Sequence, residues 1–165
     1  MNLFAIHSCP IKSAQELPDI HVNKMLQEAI QLLSVAHFEL DGQIRGTKPS
    51  HNNHPSAVFV RACKANYTWT LKHARAMLDE YTFRTGKHHG YEKYYSQVTE
   101  FPVNIPETGD TDFPMCMDDF CKKTFDVHKN YRYYLNHKYA EWRTRTDKKP
   151  IIVKWTKRNI PDWID

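Results

Sequence analysis

His21, Lys24 and Glu28 are spaced by three and four residues, so a helix would bring them into one row. A carboxylate beside an ammonium group, at the edge of an apolar surface, can pass a proton to or from a reacting group. Partial burial is what moves such a carboxyl toward the working pH range. The same spacing also describes a Lys24–Glu28 ion pair on an ordinary surface helix, which contributes little.

The residues around this row are patterned as a helix. At 100° per residue, Val22, Met25, Leu26, Ala29, Ile30, Leu32, Leu33 and Ala36 fall on one broad apolar face, and the row runs along its border. The pattern predicts a helix from Asp19, as N-cap, through Ala36, followed by a turn at Asp41-Gly42. Met1 to Ile6 reads as a short extended apolar start that packs on the core. Pro10 to Glu16 reads as a turn with a short helical piece, in which Ser13-x-x-Glu16 has the form of a capping box before Pro18 stops it.

Beyond the first helix, a polar loop runs through Gly46, Pro49 and His51-Asn52-Asn53-His54-Pro55. His51 and His54 can contact a phosphate or a base; a plain solvent-facing connection fits the composition as well. Ser56 to Cys63 is a short apolar helix or strand. Ala65 to Arg84 is a second long helix, and Gly86 is placed to close it. Residues 90–121 carry three prolines and two glycines and are expected to wrap the surface irregularly. Val127 to Arg143 is a third helix, aromatic and basic. With no repeat and no convincing strand alternation, the class is mostly α, as a single domain over residues 1–165.

Charge is uneven. The net charge is +4, yet residues 122–158 hold twelve Lys and Arg against three acids, while Glu100 to Asp119 holds six acids and no Lys or Arg. One anion-binding face, with nucleic acid as its commonest partner, would have this asymmetry; a solvated basic helix would too. In the third helix Tyr131, Arg132, Tyr134 and Lys138 interleave rings with cations, as base-stacking surfaces do. Lys154, Trp155, Lys157 and Arg158 repeat the mixture in the tail, where Trp155 either stacks on a base or packs the tail down. Arg61, Asn66 and Tyr67 either face a substrate or tie the second helix to the polar loop. Trp69 and Trp142 are expected in the core.

The four cysteines, Cys9, Cys63, Cys116 and Cys121, show no C-x2-C pair, and the ten histidines show no H-x3-H, so a structural metal is not expected. No secretory leader and no spanning apolar run is visible, so the expectation is a soluble intracellular chain with reduced thiols and no membrane.

Several stretches also resemble a known group. They are Asp19-x-His21-Val22-x-Lys24-Met25-x-x-Glu28, Asn53-His54-Pro55-Ser56-Ala57-Val58, Arg61-x4-Asn66-Tyr67-x-Trp69 and Glu80-Tyr81-Thr82-x-Arg84-x-Gly86-Lys87. Tyr131-Arg132-x-Tyr134, Lys154-Trp155-Thr156-Lys157-Arg158 and Pro161-x-Trp163 continue the likeness. The chain resembles bacteriophage proteins of the pyrimidine-dimer DNA glycosylase, or endonuclease-V-like, family. The resemblance implies a compact fold of three main helices with the N-terminus near bound DNA.

It further implies attack by the α-amino group of the first residue on C1′ of a damaged or modified nucleotide, giving a Schiff base, then β-elimination. Carried over, the nucleophile is the Met1 amine with Asn2 beside it, the assisting glutamate is Glu28, and the histidine is His21. An α-amine, unlike a lysine, titrates near pH ~8, so a useful fraction is neutral at pH 7. Two arginines expected beside the glutamate are Gln27 and Gln31 here, so phosphate grip would pass to Lys24, Arg45, Lys48, Arg61 or the third helix. The implied partner is duplex DNA, with no cofactor and work in the cytoplasm of an infected bacterial host; the sequence leaves the oligomeric state open, with a monomer favoured. The alternatives are a non-catalytic DNA-binding or host-directed protein on the same fold, or a phage DNA base-modifying enzyme.

Overall fold

The computed structural model describes every residue except Asp110. Among the described residues it is all-helical, with no strand. Its elements are α1 (Pro10–Gln15), α2 (Asp19–Asp41), α3 (Pro55–Ala62), α4 (Lys64–Thr85), α5 (Glu92–Tyr95), a 3-10 turn (Asp119–Cys121) and α6 (Val127–Thr144). Three of these, α2, α4 and α6, are long. No helix among the described residues is long and apolar enough to cross a membrane.

Helix α2 is the centre. All eight apolar positions named from its periodicity are buried. Val35 and His37 are buried as well, because α3 and α4 cover its second half. The helix runs five residues beyond Ala36 and ends at Gly42, whose φ of 67° is the left-handed conformation that glycine adopts without strain. Gly86 closes α4 in the same way at φ 73°. Ser56 to Cys63 resolves as helix: Pro55 opens it and the His54 ring accepts from the Ser56 amide at 3.1 Å.

Two caps differ from expectation, and for the same reason. Asp19 lies in the first turn of α2, with Pro18 at the N-cap. Its carboxylate is instead claimed over a long range, by the Thr156 hydroxyl at 2.6 Å, the Thr156 amide at 3.0 Å and Arg84 at 3.1 Å. Burial alone would raise the Asp19 pKa, but the Thr156 and Arg84 hydrogen bonds outweigh it and lower it. Ser13 lies inside α1, which starts at Pro10. Its hydroxyl donates to the Phe4 carbonyl at 3.1 Å and accepts from the Ile6 amide at 3.2 Å. Both side chains hold distant segments together where a local cap was expected.

These segments position the N-terminus. Leu3 to Ile6 is buried, with Phe4 packed on the rings of His21, Tyr131 and Tyr134. Helix α6 grips it from the other side: Arg132 donates to the Ile6 carbonyl at 2.9 Å, and the His128 ring is bonded to the Ala5 carbonyl. The tail then straps α1, α2 and α4 together through Trp155, Thr156 and Arg158.

Candidate active site

The N-terminal segment ends at the polar border of α2. The Met1 nitrogen lies 3.9 Å from Glu28 Oε2, and the Asn2 amide donates to the same oxygen at 2.6 Å. Lys24 Nζ lies 3.9 Å from the other oxygen, Oε1. The two faces of this carboxylate therefore differ. Oε2 is held by the N-terminus and Oε1 faces a flexible lysine whose side chain is 69% exposed. The Glu28 side chain itself is only 18% exposed, and that of Met1 2%. A carboxylate so placed can take a proton from the amine and oppose positive charge that develops there.

Asn2 clamps this arrangement. Its side-chain amide donates to the Cys116 carbonyl at 2.7 Å, and its Oδ1 accepts from the Leu3 amide at 2.7 Å. The Tyr131 hydroxyl lies 3.1 Å from the same Oδ1 and donates to the Pro114 carbonyl at 2.7 Å. Asn2 thus joins α2, α6 and the segment around Cys116.

A cleft of about 680 Å³ opens beside Met1 and Asn2, walled by His54 on one side and by Pro114–Asp118, Lys122 and Tyr134 on the other. The His54 pKa is lowered, first by burial and then by the nearby N-terminal charge and His51. With Nδ1 accepting from Ser56, the neutral ring carries its proton on Nε2 and is a donor for a ligand. A smaller polar pocket of about 150 Å³ lies on the Glu28 side, lined by Lys24, Gln27, Glu28, Gln31, Thr47 and Tyr91.

Met1, Asn2, Lys24, Glu28 and His54 therefore come together, with Tyr134 across the cleft. His21 does not join them. It is 2% exposed, enclosed by Phe4, Tyr139 and Trp142, and hydrogen-bonded to the Tyr139 hydroxyl at 2.8 Å. Its pKa is lowered to about 3, mainly by burial and secondarily by Lys138 and Lys24, so it stays neutral and handles no proton near pH 7. It ties α2 to α6.

Several expected DNA contacts are likewise engaged by groups of the protein itself, some buried and some, such as Lys157 and Arg158, at its surface. Tyr131 is fully buried, and Asn66 is buried with its side chain donating to the Phe59 carbonyl at 2.8 Å. Trp155 is 8% exposed and donates to the Glu16 carbonyl, so it packs the tail and is no wedge. Arg61 holds the Asn52 carbonyl at 2.6 Å. Arg158 binds Glu80 and Lys157 donates to the Phe83 carbonyl, both at the C-terminal end of α4. Arg132 is the clamp on Ile6 described above. His51 and Lys154 are exposed. Lys138 lies over the rings of Tyr134 and Trp142, 5.3 Å from each centroid, and Tyr134 in turn lines the cleft. Trp69 and Trp142 pack against the core as partly buried residues.

Sequence reasoning missed the wall at Pro114–Asp118 and the Thr47 and Tyr91 side of the small pocket. Nothing in an acidic, proline-broken stretch announces that it folds back onto residue 2. All four cysteines are free thiols, and among the described residues no group of three His, Cys, Asp or Glu side chains could hold a metal ion.

A family model described as pyrimidine dimer DNA glycosylase matches residues 1–93, more than half of the chain. No curated protein and no solved structure matches the chain. The match spans Met1, Asn2, Glu28 and the whole small pocket; the far wall of the large cleft lies outside it.

Proposed function

Because the chain belongs to the pyrimidine dimer DNA glycosylase family, we propose that it excises a damaged or modified pyrimidine from duplex DNA and then nicks the strand as an abasic-site lyase, using the Met1 amine as nucleophile. The observation that carries this reading is the 3.9 Å approach of that amine to a carboxylate that is largely withdrawn from solvent. Glu28 accepts a proton from the amine, and the neutral nitrogen attacks C1′. Glu28 passes that proton to the base as its bond to C1′ breaks. A carboxylate again, it opposes the positive charge of the oxocarbenium-like species and of the iminium that forms when the C1′–O4′ bond opens and O4′ takes up the proton shed by the nitrogen. Loss of the C2′ proton from the Schiff base expels the 3′ phosphate by β-elimination. The His54 Nε2–H and exposed Lys24 border this chemistry and can donate to sugar or phosphate oxygens. Lys138 with Tyr134 offers the stacking and cationic surface beside it.

The test is borohydride trapping with two duplexes, one carrying an abasic site and one a thymine dimer. The expected result is a covalent adduct whose modified peptide begins at Met1. A second reading, a DNA-binding protein that retains the fold without catalysis, draws on the neutral Gln27 and Gln31 beside Glu28. Gel-shift binding with no adduct on either duplex would favour it and refute the first.

A further inference from the structure

Just before α6, the ring of Phe125 stands wholly in water. A single exposed apolar residue is ordinary, but this one is held out by a built loop. Asn130 of α6 is fully buried. Its Oδ1 accepts from the amides of Lys123 and Thr124, at 3.1 and 3.0 Å, and its Nδ2 donates to the Thr124 carbonyl at 2.8 Å. The Thr124 hydroxyl accepts from the Asp126 amide at 3.1 Å, and Asp126 caps α6 by accepting from the His128 and Lys129 amides. The backbone on both sides of the ring is therefore fixed, while packing gives the ring nothing to bury.

The loop also belongs to the cleft. Nδ2 of the same Asn130 lies 3.3 Å from the Met115 sulfur, and Met115, Asp118 and Lys122 line the cleft beside Met1. Phe125 follows Lys122 by three positions, so their Cα atoms are at most about 11 Å apart. Exposed Lys122, Lys123 and Lys129 flank the ring in sequence. Asp119 pairs with Lys122, and Asp126 is engaged as the cap. That leaves Lys129, and Lys123 over the Tyr133 ring at 5.0 Å, to meet phosphates. A ring set among lysines fits duplex DNA better than a protein partner, because lysines are scarce at the core of protein interfaces.

We infer that Phe125 is a wedge that enters the base stack beside the target nucleotide and holds the duplex open while the Met1 amine reaches C1′. The inference rests on the DNA-cleaving role proposed above. A stacked duplex covers the target, and opening it breaks stacking. An apolar ring placed in the gap restores part of that loss, and the lysines hold the bent strand by its phosphates. The two pyrimidines of a dimer are bonded to each other, so the ring enters an adjoining step and leaves the pair together.

The experiment compares Phe125→Ala with the wild type and with Phe125→Tyr, which keeps a ring. Because Phe125 is fully exposed, the melting temperature is expected to be the same for all three. The first readout needs no catalysis: fluorescence of 2-aminopurine, quenched while stacked, placed beside a tetrahydrofuran abasic analogue in duplex DNA. At saturating protein the wild type and Phe125→Tyr are expected to raise the signal, and Phe125→Ala to lose most of that rise. The second is borohydride trapping on an abasic site in duplex and in single-stranded DNA. Phe125→Ala is expected to trap roughly 5- to 100-fold more slowly on the duplex, the range that base–aromatic stacking covers, and within about twofold of wild type on the single strand, where no stack needs opening. An undiminished fluorescence rise, no trapping loss on the duplex, or equal losses on both DNAs would overturn the wedge. So would a Phe125→Ala protein altered only in self-association, which would assign the ring to a contact between copies of this chain. A wild type that raises the fluorescence but traps neither DNA would refute the amine chemistry and leave the fluorescence of Phe125→Ala to decide the wedge. A wild type that raises no fluorescence overturns the wedge whatever it traps.

Discussion

Replacing Glu28 by Gln tests the centre of the mechanism with little change of shape. The amide side chain is nearly isosteric and still offers an oxygen to the Asn2 amide, so the clamp around residue 2 survives. What is lost is one negative charge 3.9 Å from the Met1 nitrogen. Two unit charges at about that distance attract by roughly 4 kcal/mol at an effective dielectric near 20. Glu28 retains 18% exposure, so solvent and salt reduce this figure. Part of the attraction is also present before reaction and does not count toward the barrier. A loss of about 2–4 kcal/mol in the transition state corresponds to a fall of roughly 30- to 1,000-fold in rate. The assay is single-turnover trapping and strand cleavage on an abasic duplex, with gel-shift affinity measured in parallel. Affinity is expected to stay within about threefold, since no phosphate-binding cation is removed. Glu28→Asp, which withdraws the carboxylate by one methylene, should fall between wild type and Glu28→Gln. A Glu28→Gln protein that cleaves within threefold of wild type would remove the carboxylate from the reaction.

Other expectations concern stability. Arg84 is 4% exposed and joins Glu80, Asp19 and the carbonyls of Leu17 and Gln15, so Arg84→Met strands buried acceptors and is expected to cost about 3–5 kcal/mol in urea unfolding. Loss of less than 1 kcal/mol would mean that this hub is not what closes the α1–α2–α4 junction. Acid should also destabilise the fold early. Burial lowers the pKa of His21 to about 3 and that of His73 to about 4, so below about pH 6.5 the unfolded chain takes up protons that the folded chain refuses. Their stabilising effect is complete above that pH and falls as pH drops, by roughly 2 kcal/mol for each group at pH 5. A melting temperature that stays flat from pH 7 to pH 5 would contradict the burial of these rings as neutral groups. Finally, Arg158→Glu places a like charge against Glu80, which is itself 4% exposed. It is expected to lower the melting temperature while leaving the salt dependence of DNA binding unchanged; the reverse pattern would return Arg158 to the DNA surface.

What the sequence determined by itself follows from its short-range physics. The 3.6-residue apolar period of residues 22–36, the glycines at 42 and 86 and the polar break before Pro55 specify α2, α4 and their ends, because helix periodicity and left-handed caps depend on neighbours a few residues away. The row containing Lys24 and Glu28 was legible for the same reason. Which group meets that row was not. The meeting of Glu28 with the first two residues spans twenty-six positions, and the anchoring of Asn2 by Cys116 and Tyr131 spans more than a hundred. The basic and aromatic residues of α6 and the tail looked alike in the sequence, yet tertiary packing divided them. Tyr131 and Trp155 went to the core and Arg158 to Glu80, while Tyr134 lines the cleft with Lys138 over its ring. Composition shows that a cation or a ring is present. Only the fold decides whether a buried carboxylate or carbonyl, which cannot be left unpaired without a large penalty, has already claimed it.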